Sequence, residues 1–73
     1  MDKESLITFG TNLCAERHRK KLSQEELAAK AGLQMQQISK IENGKADFKF
    51  TTLIRLMKAL NVKFDQLFDV SEL

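Results

Sequence analysis

The stretch from Ser23 to Lys45, SQEELAAKAGLQMQQISKIENGK, holds two short amphipathic helical patterns separated by one glycine. Ser23 is placed to cap the first, and Glu25 and Glu26 stand where the positive end of a helix dipole favours carboxylates. Leu27 and Ala31 are four apart and share a face, and Ala28 is small enough to let a second helix cross closely. Gly32 supplies the tolerance of positive φ that a helix C-cap needs. Leu33 then turns inward, and Ile38 and Ile41 carry the apolar stripe of the next helix until Asn43-Gly44 ends it. Two helices joined by so short a turn are a helix-turn-helix.

The rest of the chain reads as helix too. There is no proline and there are only three glycines. The fold class is therefore all-α, with five helices expected at about 5–20, 24–31, 35–43, 51–60 and 64–69. Ser5 is the expected cap of the first, with Leu6, Phe9 and Leu13 on its inner face. Thr51 or Thr52 should start the fourth, whose inner face is Leu53, Leu56, Met57 and Leu60. Val62, Phe64, Leu67 and Phe68 close the core. A chain of 73 residues has room for one core, so a single domain spanning 1–73 is expected, its core at 5–69.

The Ser23–Lys45 segment resembles the helix-turn-helix of the phage repressor and Cro family, the Xre-like regulators. That pattern runs Ser/Thr-Gln-x-x-Leu-Ala, a turn glycine, then Ile-Ser-x-Ile-Glu-x-Gly. Ser23, Gln24, Leu27, Ala28, Gly32, Ile38, Ser39, Ile41, Glu42 and Gly44 match it, ten positions at fixed spacing. FGTNLCAERHRKKL resembles the family's first helix and FTTLIRLMKALNVKFDQLF its last two, so the likeness covers residues 6 to 68. It implies sequence-specific binding of double-stranded DNA and regulation of transcription, most simply as a repressor. Some positions depart from the pattern. Phe48 stands where the loop usually has a proline, Asp47 beside it would repel phosphate, Lys63 replaces a capping serine or threonine, and Glu16 replaces an apolar residue.

Charge agrees with a nucleic-acid partner more by its placement than by its sum. The formal net charge is only +2, but Arg17 to Lys45 contains seven basic residues against three acidic ones, while residues 46 to 73 balance at four each. The run Arg17–Lys21 has a second explanation, because cations suit the C-terminal end of a helix.

Successive helical residues turn by about 100°. With Ile38 and Ile41 inward, Gln36, Lys40 and Asn43 face away, Ser39 lies beside them, and Met35 and Gln37 flank. In a helix docked in the major groove, Gln36 is the best base reader, since one amide donates and accepts together. Lys40 reaches a guanine edge or a phosphate, and Met35 a thymine methyl or the sugar wall. Met35, Gln36, Gln37 and Lys40 are thus the expected base contacts, and Gln24, Ser39, Asn43, Lys45 and Lys49 the expected phosphate contacts. The resemblance also implies that Arg17 faces Glu42 in a structural ion pair, the alternative being two surface charges.

One such domain reads too few base pairs for genomic specificity, so a homodimer is expected. Phe64, Phe68, Val70 and Leu73 of the apolar segment FDQLFDVSEL are the expected interface. The alternative is that Phe64 and Leu67 fill the core and the last five residues fray. A second functional reading is an antitoxin, which binds both operator DNA and a toxin protein. Catalysis is not expected: His18 lies in a basic run, and Cys14 lacks a base partner. No metal, cofactor or small-molecule site is expected from the motifs, and a lone cysteine points to a reducing, cytoplasmic setting. The sequence contains no apolar stretch long enough for a membrane span.

Overall fold

Asp2 starts the first helix. Its carboxylate accepts the Ser5 amide at 2.8 Å, filling one of the donors that a helix N-terminus leaves open. Helix α1 consequently spans Lys3–Arg19, with Ser5 inside its first turn and not at the cap. The computed structural model describes residues 2–69 and 71, and among these it contains five helices and no strand.

Helix α2 (Gln24–Ala31) begins at a reciprocal capping box. The Ser23 hydroxyl accepts the Glu26 amide at 3.0 Å, and the Glu26 carboxylate accepts the Ser23 amide at 2.9 Å. Those bonds hold the Glu26 carboxyl below its ordinary range. Gly32 ends α2 at φ +70°, a left-handed conformation that a side chain would oppose. Helix α3 (Met35–Glu42) follows after a three-residue turn, Gly32 to Gln34. Its start is fixed from inside, the Gln37 side-chain oxygen accepting the Gln34 amide at 2.9 Å.

Helix α4 spans Phe50–Leu60 and starts one residue before the threonines expected to cap it. No side chain caps this end; Lys49 holds the cap position in an extended conformation. Helix α5 is a single turn, Phe64–Leu67, shorter than the expected 64–69. Phe68 stops it by turning extended (φ −157°, ψ 130°), which carries its ring into the core beside Phe64 at 6.2 Å. Lys63 brings no capping hydroxyl; the Gln66 side chain accepts its amide instead, at 2.9 Å.

The core draws Phe9 and Leu13 from α1, Leu27 from α2, Ile38 from α3, Leu56 and Leu60 from α4 and Leu67 from α5, all fully buried. Burying each such side chain favours folding by about 1.5–3 kcal/mol. Leu6, Leu53 and Met57, expected on inner faces, are only half-buried. Phe48 stacks on Phe9 with ring centroids 4.7 Å apart, so the loop without its usual proline is anchored by an aromatic ring. Helix α3 packs on α1 and α2, α4 on α2, and α5 on α1. Among the described residues, no helix is long and apolar enough to cross a membrane.

Gly10 sets how closely α1 crosses the end of α3. A Cβ at Gly10 would clash with the carbonyl oxygen of Ile41 and lie 2.7 Å from that of Glu42. The helices therefore meet backbone to backbone, and α1 fixes where α3 ends.

Candidate nucleic-acid interface

Ile38 and Ile41 hold α3 in the core at 0% and 3% exposure, which turns its other side outward. Gln36, Gln37 and Lys40 are exposed there, and Met35 is 46% exposed at the helix start. Ser39 is half-buried and its carbonyl accepts the Asn43 side-chain amide at 2.8 Å. Gln37 differs from Gln36 in having its oxygen engaged at the Gln34 amide. Its amide donors remain available, whereas Gln36 keeps both donor and acceptor free of any hydrogen bond within the described residues. The Gln34-x-x-Gln37 spacing is that of a capping box, a signal that the sequence itself carries.

The end of α3 is fixed by a buried polar network. Arg17 meets the Glu42 carboxylate with both prongs of its guanidinium, Nε to Oε2 at 2.6 Å and Nη2 to Oε1 at 3.0 Å. The two side chains are 9% and 4% exposed. Arg17 Nη1 also donates to the Leu22 carbonyl at 2.8 Å, just before α2 begins. Gln24 Nε2 donates to Glu42 Oε1 at 3.0 Å, which joins the start of α2 to the same carboxylate. Burial pushes the Glu42 carboxyl up, but the bonds from Arg17 and Gln24 and the guanidinium charge outweigh it and hold the group below the usual glutamate range. The motif alone points Gln24 to phosphate; nothing in its spacing announces the bond to Glu42.

Asn43, Lys45 and Lys49 are exposed on the side where α3 ends. The Lys45 amide donates to the Lys40 carbonyl at 2.9 Å, so its backbone is fixed while its side chain remains in water. A groove of about 400 Å³ runs between α3 and the start of α4, lined by Leu33, Gln37, Lys40, Phe48, Lys49 and Arg55 among others. Among the described residues, no group of three or more His, Cys, Asp or Glu side chains is arranged to hold a metal ion.

The expected pairing surface changes. Phe68 is 3% exposed within a single chain and has no surface to offer a second copy, because the break in α5 turns it inward. Phe64 is half-buried, and Val70 and Leu73 lie outside the described residues. Phe50, at the start of α4, is instead 73% exposed. A phenylalanine in a small helical domain is expected in the core, and Phe50 departs from that because it opens α4 on the side turned away from the other helices.

Residues 15–67 match the sequence model of the helix-turn-helix family. An uncharacterized HTH-type transcriptional regulator of Sinorhizobium fredii, y4dJ, is 36% identical over 67 residues, 92% of this chain and 84% of that protein. The restriction-modification controller protein C.AhdI from Aeromonas hydrophila superposes with a TM-score of 0.85 at 32% identity, covering 89% of this chain and 98% of the other. A variant of the controller protein C.Esp1396I gives 0.84 at 29% identity, covering 99% and 94%. A hypothetical transcription factor from Neisseria, NHTF, gives 0.83 at 27% identity, covering 94% and 80%. With α3 presented as it is on this fold, the chain belongs to the Xre/Cro-like helix-turn-helix family of DNA-binding transcriptional regulators.

Proposed function

We propose that residues 1–73 form one DNA-binding unit, its core at 5–69, that acts in the cytoplasm as a homodimeric repressor. In this reading α3 enters the major groove. Gln36 reads bases foremost, with Met35, Gln37 and Lys40 beside it, while Gln24, Ser39, Asn43, Lys45 and Lys49 hold phosphates. The observation that carries it is the two-sidedness of α3. Its isoleucines are locked in the core, its C-terminal end is clamped by Arg17 and Gln24 through Glu42, and its polar side is left in water. A recognition surface needs that rigidity, since each base contact depends on a fixed side-chain origin.

Selection from a random pool of double-stranded DNA tests the proposal. Enrichment of a two-part symmetric site is expected; enrichment of an asymmetric site would remove the dimer, and no enrichment the specific binding. Repression is tested separately, by placing the selected site between a promoter and a reporter. The near-complete coverage of C.AhdI favours a narrower version, in which the operator precedes a restriction–modification gene pair. The position of the selected site in the genome that carries this chain decides it. The relatives named above are described as transcriptional regulators and controller proteins, which favours the regulator reading over an antitoxin.

A further inference from the structure

The groove beside α3 meets a second groove at Arg55. This one lies between the end of α2 and the outer side of α4, measures about 230 Å³, and is lined by Lys30, Ala31, Arg55, Lys58 and Ala59. Three of its five lining residues are cations and none is an acid. The two alanines form a floor too short to fill it, so a ligand can settle between the charges. Arg55 Nη1 donates to the Gly32 carbonyl at 3.3 Å, which holds the guanidinium at the head of the groove. Glu26, one turn before Lys30 on α2, is committed to the Ser23 amide.

Helix dipoles account for a cation in the last turn of α2 and another in the last turn of α4. They do not require both ends to open onto one groove with an arginine between them. Because Arg55 lines both grooves, basic surface continues from Lys40 and Lys49 past Arg55 to Lys58 and Lys30. Asp47 is the one acid among the described residues lining either groove, and it lies in the first.

We propose that the groove of Lys30, Arg55 and Lys58 is a second contact for DNA backbone phosphate, reached by duplex flanking the segment that α3 reads. The inference rests on the reading of α3 as the helix in the major groove. An arginine fork beside two lysines suits a phosphate diester, whose charge sits on small exposed oxygens. The groove adds affinity and length of protected DNA, not choice of sequence.

The test uses the full chain and the operator recovered by selection, once trimmed to its symmetric site and once extended by about one helical turn, ~10 base pairs, on each side. Affinity is measured across a salt series for the wild type, for Lys30→Gln with Lys58→Gln, and for Lys3→Gln with Lys63→Gln, which removes equal charge outside both grooves. On the extended duplex the groove variant should bind several-fold more weakly, with a salt slope smaller by about two units for each bound copy, about four for the dimer. On the trimmed duplex it should match the wild type, and the outside pair should change neither. All four lysines are exposed, and equal unfolding midpoints verify that the fold is kept. Equal losses for both pairs on both duplexes would overturn the proposal in favour of net charge alone. An unchanged groove variant would overturn it too, and would leave the groove to an acidic protein surface. A wild type that binds no duplex would overturn the α3 reading and this proposal with it. Binding whose slope depends on Lys45 but not on Lys30 and Lys58 would overturn this proposal alone.

Discussion

Arg17 and Glu42 make the recognition helix sensitive to single residues. Arg17→Met strands the Glu42 carboxylate at 4% exposure without its cation, although Gln24 still bonds it, which should cost about 3–5 kcal/mol in urea unfolding. A loss under about 1 kcal/mol would assign the pair to the solvated surface. The same site sets a pH dependence. Because the Glu42 carboxyl is held below its usual range when folded, its contribution is fully present above the ordinary glutamate value of about 4.3. It is lost as pH falls through the lower folded value, and Glu42→Gln should flatten stability over that acid window. A second residue-scale expectation separates reading from positioning. Gln36→Ala should change which sites are bound and spare non-specific affinity, whereas Lys45→Ala should weaken all sequences alike and lower the salt slope by about one unit for each bound copy. Equal losses for both at every site would mean that α3 is not docked as described. The facing of Arg17 and Glu42 was legible because the family pattern marks both positions. The Gln24 bond was not, because it depends on how α2 and α3 cross, which no spacing within either helix encodes.

Between elements, the contact of α1 with α3 governs most of the geometry. Gly10→Ala would gain about 0.5–1 kcal/mol from helix propensity in an open helix. Here the added methyl meets two carbonyl oxygens that are backbone and cannot swing aside. Net destabilisation of about 1–3 kcal/mol is expected, with weaker DNA binding as α3 shifts. A more stable variant would show that the helices are not in backbone contact. The end of α1 offers the opposite case. Lys21 has φ +58° where glycine is the usual residue, and the Leu22 amide bonds the Arg17 carbonyl at 3.1 Å across that turn. Lys21→Gly should raise the unfolding midpoint through relief of about 1 kcal/mol of strain, since a side chain opposes this conformation. The helices themselves were legible from apolar periodicity, and α2 and most of α3 fall where the pattern puts them. Their ends were less so. An acid at position 2 displaced the cap from Ser5, and the extended turn that buries the Phe68 ring ended α5 two residues early.

At the scale of the molecule, a dimer must be built from what one chain leaves uncovered. A standard interface takes about 800 Å² from each partner, a large share of the 4888 Å² this small domain exposes. Phe68 contributes nothing to it, so the C-terminal segment has less apolar surface to give than its composition implies. Among the described residues Phe50 is the most exposed large apolar side chain, at 73%, and half-buried Ile54 lies one turn along the same side of α4. An exposed phenylalanine of this kind is stable in water but gains about 25 cal/mol for each Å² covered, which favours a symmetric contact along α4. Sedimentation equilibrium of three chains at tens of micromolar separates the alternatives: the full chain, one ending at Phe68, and Phe50→Ser. If the full chain is a dimer and Phe50→Ser a monomer, the pairing surface is the start of α4. If only the shortened chain is a monomer, the surface is the C-terminal segment first expected from its apolar residues. A full chain that stays monomeric without DNA would sink the free dimer, and the two half-sites of the operator would then have to bring the copies together.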